Sequence, residues 1–189
     1  MSPYEVAGAL LGAIAVFLTA RENVWCWPVG LANVLLYVVV FHEARLYADM
    51  GLQVVYAALC VYGWYAWLHG GKDRGELAVS RTPGRWRAPL FLAGAAAAAL
   101  LGFLLKRHTD AALPYWDSST TAFSLVAQWM QTRKWLENWR VWIAVDVVYV
   151  GMYLYKDLRL TAALYAVFLA LAVMGDREWR KSLASQAAA

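Results

Sequence analysis

Asp146 lies in the middle of an apolar run, with Trp139 and Trp142 seven and four residues before it and Tyr149 and Tyr153 three and seven after it. Helical geometry brings these five side chains to one face. A carboxylate at the centre of a bilayer costs about 2.5–3.5 kcal/mol, so it faces a cavity or a partner rather than lipid. Aromatic faces attract cations by about 0.5–2 kcal/mol each. A carboxylate set among rings therefore reads as one wall of a pocket for a flat, cationic ligand.

Three further stripes carry chemistry at helical spacing. Asp49, Gln53, Tyr56, Cys60, Trp64 and Trp67 recur every three or four residues, as do Thr121, Ser124, Gln128 and Gln131, and Trp27, Gly30, Asn33 and Tyr37 follow the same period. With the Asp146 face, these predict a central polar path lined by four helices. Competing roles exist for several of them. Asp49 stands near a helix start, where a carboxylate also caps free backbone N–H groups. Thr121 and Ser124 equally serve as hydrogen-bonding glue between helices. Trp25, Trp67, Trp135 and Trp179, close to span ends, are expected to be interfacial anchors. Gly8 and Gly12 form a close-packing pattern. Pro28 is expected within the first turn of its helix, where a missing N–H costs little, rather than at a hinge.

The elements that must hold these stripes follow from composition. Of 189 residues, 62% are hydrophobic and 16% charged, against about 25% charged in a soluble domain. The apolar excess falls into seven candidate spans, at approximately 4–20, 24–42, 47–68, 88–105, 114–132, 137–155 and 158–175. The first is read as a retained span rather than a leader, because Glu5 is the only charge before Arg21 and six spans follow. Residues 69–87, rich in Gly and Arg, form the longest polar connection. The fourth span has no polar side chain from Ala88 to Leu105 and is read as a spacer. The expected division is a first three-helix bundle (1–68), a loop and linker helix (69–113), a second three-helix bundle (114–179) and a tail (180–189).

A faint internal repeat flanks the spacer. Asn33 matches Asp146, and Arg21 matches Lys134, at an offset of 113. Two halves in parallel orientation would place a site at their interface near the midplane. The net charge of +4 sets topology rather than a polynucleotide groove. Twelve of the seventeen Lys and Arg fall in connections on one side, together with the C-terminal segment, and five (Arg45, Lys106, Arg107, Lys156 and Arg159) on the other. The positive-inside rule then puts the N-terminus outside and the C-terminus in the cytoplasm. Cys26 and Cys60 lie within apolar spans and form no C-x-x-C, so buried small side chains are expected, with neither a disulfide nor a metal site.

Longer strings carry a family resemblance. The run LYADMGLQVVYAALCVYGWYAW (Leu46 to Trp67), the segment from Glu137 to Trp179 and the opening ENVWCWPVG (Glu22 to Gly30) resemble the PnuC-type bacterial transporters of nicotinamide riboside. The resemblance spans nearly the whole chain apart from 69–113. It implies an all-α integral membrane protein of seven helices in a three-plus-one-plus-three arrangement, similar to the SWEET sugar transporters. It further implies facilitated diffusion of a phosphate-free vitamin precursor across the bacterial inner membrane, with trapping by a cytoplasmic kinase. Carried over by position, the substrate-binding residues are Trp27, Asn33, Asp49, Gln53, Tyr56, Trp64, Gln128, Asn138, Trp142, Asp146 and Tyr149. Asp157 departs from the glycine many relatives have there, and the extra N-terminal helix of some relatives is not present in this sequence.

The residues suit that ligand. Rings attract the pyridinium, amides pair with the carboxamide, and carboxylates accept from ribose hydroxyls. A phosphate calls for Arg or Lys, and among these spans only Arg140, near the start of the sixth, comes close. Thiamine, riboflavin or another nucleoside fits the same reasoning, and self-association and proton coupling stay open. An enzyme is not expected: His42, His69 and His108 sit in or beside connections, with no H-E-x-x-H. A retinal photoreceptor would need a lysine in 158–175, which has none. A membrane ligand sensor is the rival from another class.

Overall fold

The computed structural model describes residues 3–43, 45, 47–109 and 112–188. They form seven α-helices: α1 (Pro3–Ala20), α2 (Cys26–Glu43), α3 (Tyr47–His69), α4 (Gly84–His108), α5 (Pro114–Thr132), α6 (Asn138–Tyr155) and α7 (Arg159–Ala188). No strand occurs among the described residues, where one isolated bridge pairs Ser80 with Trp135. Neighbours in sequence pack side by side from α1 to α3 and from α4 to α7, while α1 against α7 and α3 against α5 close the bundle.

Helix boundaries follow local chemistry. Pro114 opens α5 at a position where its missing N–H is no loss, and Pro28 sits in the first turn of α2 as expected. The fourth helix starts at Gly84, four residues before the span read from hydropathy. The seventh continues thirteen residues beyond residue 175, because ion pairs Arg180–Asp176 and Lys181–Glu178 line its polar extension at helical spacing. Four helices (α2, α3, α4 and α7) are long and apolar enough to cross a membrane by length and composition, and α1 is a shorter apolar helix. Helices α5 and α6 fall short because they carry Ser118 to Thr121, Gln128, Gln131, Arg140 and Asp146.

The surface is inverted relative to a water-soluble protein. Leu10, Ile14, Phe17, Leu35, Val39, Val61, Leu92 and Leu100 point outward, whereas Thr19, Ser118, Thr120, Ser124, Asn138 and Asp146 are buried. Only lipid makes that distribution favourable.

The internal repeat is present, but its offset is 112, not 113. The helix pairs α2 and α6 begin and end in register, Cys26 with Asn138 and Glu43 with Tyr155. The turns before them repeat bond for bond: Asn23 N–H donates to Leu18 O and Trp135 N–H to Met130 O, while Cys26 N–H donates to Asn23 O and Asn138 N–H to Trp135 O. Glu22 and Lys134 both take the left-handed conformation in those turns, and Arg45 and Asp157 do so in the turns that follow. The φ of 54° at Asp157 explains the glycine expected there, since Asp is among the few other residues that tolerate this region.

The dense core lies at one end, built on the same repeat. Trp27 meets Trp67 edge-on at 5.3 Å, Trp67 meets Trp179 at 5.9 Å, and Trp179 meets Trp139 edge-on at 5.3 Å. Trp67 Nε1 donates to Gln131 O and Trp179 Nε1 to Thr19 O, both at 3.0 Å. Each donor and each acceptor has its counterpart 112 residues away, so the contact is self-complementary. Trp67, Trp135 and Trp179 are thus buried rather than interfacial anchors, and of the four only Trp25 is exposed. A tryptophan at a span end looks the same in sequence whether it turns toward headgroups or toward another helix. Lys134 caps this core, with Nζ 3.1 Å from Glu22 and 4.6 Å above the Trp67 ring.

Residues 69–87 are tied down across the same end. Ser80 N–H donates to Lys134 O, and Leu136 N–H donates to Ser80 O. Glu137 Oε2 accepts from both the N–H and the hydroxyl of Thr82, at 2.7 and 2.8 Å. Burial opposes ionisation of Glu137, yet the Thr82 bonds and the Arg87 charge together hold its carboxyl below its ordinary value. Such a group contributes stability fully above its unfolded pKa and loses it as pH falls through the folded pKa. Glu137→Gln is therefore expected to speed amide exchange at Thr82 and Ser80 several-fold at pH 7, and wild type should approach the mutant as the carboxyl protonates. Hydrogen-exchange mass spectrometry, corrected for intrinsic rates, reads this directly. Equal protection in both proteins at pH 7 would deny the charge any part in the strap.

Candidate functional site

Inside this closed end lies a cavity of about 370 Å³, within the size range of small-molecule sites. Helices α1, α2, α3, α5, α6 and α7 all contribute to its wall, and α4 contributes nothing. The expected path was lined by four helices, and two more join it, α1 with Gly12, Ala15, Val16 and Thr19, and α7 with Tyr165, Phe168 and Ala172.

The cavity brings together Trp27, Asn33, Gln53, Tyr56, Gln128, Trp142, Asp146 and Tyr149. Three residues of the expected set stand elsewhere. Asp49 is exposed in the first turn of α3. Trp64 is 38% exposed, because the adjacent Gly63 is the position pressed against the Trp27 ring and the next residue points about 100° away. Asn138 is fully buried behind the wall, donating from Nδ2 to Trp135 O at 2.6 Å; it shapes the turn into α6.

One side of the cavity is polar. Trp142 Nε1 donates to Gln131 Oε1 at 3.2 Å, which fixes the ring plane, and Gln131 in turn is anchored by its carbonyl's bond from Trp67. Tyr56, Ser124 and Tyr149 line this side as well. The opposite side is a bank of rings, in which Tyr149, Tyr153 and Tyr165 lie within 4.5 to 5.8 Å of one another, and Phe168 meets Tyr165 edge-on at 5.6 Å. Tyr153 supports this bank from outside the wall.

Electrostatics single out Asp146. It is 5% exposed, and among the described residues its carboxylate has neither an ion pair nor a hydrogen bond. Among the described residues no Lys or Arg lines the cavity. Trp27 Nε1, Trp139 Nε1 and Asn33 Oδ1, on wall residues, are buried without a protein partner, and each costs about 1–3 kcal/mol unless another group meets it. The wall thus offers one unpaired negative charge, flat aromatic faces and several amides, while the two indole N–H groups are buried within it. It has the means to hold a flat cation with polar substituents, and nothing suited to a phosphate. No cluster of three or more metal-ligating side chains occurs among the described residues. Cys26 and Cys60 are free thiols in the wall.

Sequence reasoning put Trp139 on the Asp146 face, and it lines the cavity, but missed Tyr165 and Phe168. Their three-residue spacing was a signal, but a weak one in a helix otherwise read as plain. The α1 contribution had only the small-residue pattern Gly8–Gly12 to mark it.

Comparisons with known proteins bear on the same chain. A family model described as nicotinamide mononucleotide transporter matches residues 2–181. The nicotinamide riboside transporter PnuC of Escherichia coli (strain K12) is 28% identical, over 96% of this chain and 87% of that protein. The riboflavin/roseoflavin transporter RibM of Streptomyces davaonensis is also 28% identical, over 93% of this chain and 83% of its own. A crystal structure of the vitamin B3 transporter PnuC superposes with a TM-score of 0.72 at 23% identity, covering 95% of this chain and 81% of that one.

Proposed function

This chain belongs to the nicotinamide mononucleotide transporter family, multi-pass membrane transporters rather than enzymes, and from that premise we propose that it carries nicotinamide riboside, the nucleoside without the phosphate. The observation that carries the reading is the pairing of an unpartnered buried Asp146 with a wall devoid of Lys and Arg. A carboxylate in that position favours the cationic pyridinium, and a phosphate dianion beside it would meet repulsion and no donor fork. The relatives named for nicotinamide riboside support the same substrate.

A second reading comes from the equal identity to a riboflavin transporter. The flavin ring is flat but uncharged, so it would use the tyrosine bank and leave Asp146 unpaired. Titration of purified protein by calorimetry separates these. Nicotinamide riboside is expected to bind at least tenfold more tightly than its mononucleotide or riboflavin. Equal or tighter binding of the mononucleotide would overturn the proposal, and a preference for riboflavin would move the substrate to the second reading.

The movement is alternating access between two three-helix halves, α1–α3 and α5–α7, with α4 as the linker and a twofold axis along the membrane normal. Support comes from the turns and indole bonds repeated 112 residues apart. Charge asymmetry orients the tryptophan end and the C-terminus toward the cytoplasm. Release inward then requires parting α3 from α7 at the Trp67–Trp179 contact and breaking both indole bonds. Such a device equilibrates its substrate without an energy source, and phosphorylation by a cytoplasmic kinase makes uptake net. The cell membrane in question is the bacterial inner membrane.

A further inference from the structure

A second concavity of about 360 Å³ opens on the outer surface between α4, α5 and α6. It shares no residue with the ligand cavity. Its wall is almost wholly apolar, with Phe91, Phe123, Val141, Ala144 and Val148 facing it, and the hydroxyls near its far end are satisfied within their own helix, Ser119 by Tyr115 O and Thr120 by Trp116 O. Among the described residues Arg140 is the single charged one of the wall. It is exposed in the first turn of α6, and among the described residues its guanidinium has no ion pair or hydrogen bond. Arg85, also exposed, stands at the start of α4, at the same end of the bundle.

A lone arginine at the mouth of an apolar groove on a lipid-facing surface has one complementary occupant. We infer that the α4–α5–α6 groove seats an anionic phospholipid, with one acyl chain along Phe91, Phe123 and Ala144 and the headgroup phosphate on Arg140. The apolar floor accepts any acyl chain, so selectivity rests in the guanidinium, which pairs with phosphate oxygens through two parallel N–H donors. A basic site between membrane helices near one interface is a known way of holding acidic headgroups. A zwitterionic lipid offers the same phosphate but brings its own cation next to Arg140, which weakens the attraction.

Native mass spectrometry of the purified full chain tests this, after equilibration in mixed micelles with equal phosphatidylglycerol and phosphatidylcholine of identical chains. Wild type should retain one phosphatidylglycerol in preference to phosphatidylcholine by about fivefold, the factor expected for one cation near a membrane surface. Arg140→Gln should bring the ratio close to one without abolishing lipid retention, and Ala144→Trp, which fills the groove, should remove the retained lipid of either kind. An unchanged ratio in Arg140→Gln, or undiminished retention in Ala144→Trp, would overturn the assignment. So would a lipid-free oligomer that dissociates on Ala144→Trp, since the groove would then belong to a second copy of the chain.

Discussion

Asp146→Asn is expected to weaken nicotinamide riboside binding by roughly ten- to a hundredfold while the protein inserts and folds normally. The substitution keeps shape and removes charge. Since the carboxylate has no partner among the described residues, no internal bond is lost, and an uncharged amide inside the membrane is less costly than an anion. The loss falls on the ligand. Interactions of a charged group contribute about 1.5–3 kcal/mol, and 1.4 kcal/mol is tenfold in affinity. The reduced, uncharged riboside provides the control: it should bind wild type and mutant within a fewfold of each other. A mutant that keeps wild-type affinity for the cation, or that loses both ligands equally, removes Asp146 from cation recognition.

The Asp146 stripe was legible because helical periodicity and the cost of a buried charge both act locally. Eight of the expected wall residues came from such stripes and share one cavity. What failed depended on neighbours in space. Trp64 lies on the right stripe of α3, but Gly63 beside it takes the tight contact and rotates Trp64 outward. Trp67 and Trp179 resembled anchors because the helices that cover them are far away in sequence. The first helix contributes to the wall by being small at Gly12 and Ala15, and absent atoms leave no chemical signal.

The repeat also clarifies why the site itself is unsymmetrical. Equivalent positions 112 apart keep the same residue where they build the closed end: Trp27 and Trp139, Gly63 and Gly175, Trp67 and Trp179. Along the cavity they diverge. Gly12 corresponds to Ser124, Val16 to Gln128, Gly30 to Trp142, Val34 to Asp146, and Gln53 and Tyr56 to Tyr165 and Phe168, all of them in the wall. The polar member belongs to α5 or α6 in one set and to α3 in the other, so polarity gathers on α3, α5 and α6. A nucleoside has no twofold axis, and a site that kept the symmetry would present the wrong groups to half of it.

The same equivalence makes a stringent prediction for the closed end. A Cβ at Gly63 would fall inside contact distance of the Trp27 ring, and one at Gly175 inside that of the Trp139 ring. Each ring is held edge-on by Trp67 or Trp179, so it can yield only toward the cavity it lines. Gly63→Ala and Gly175→Ala are therefore each expected to destabilise by about 1–3 kcal/mol through overpacking, with losses of similar size because the two positions are equivalent. Thermal unfolding in detergent should show midpoints lower by several degrees in both, and transport should fall as the rings are displaced into the cavity they line. Alanine at Gly51 or Gly151, helical positions with nothing within 4 Å, should instead leave stability unchanged or raise it by up to about 1 kcal/mol. If all four variants behaved alike, the effect would be helix propensity alone, and the tryptophan chain could not be the rigid element that closes one end of the transporter.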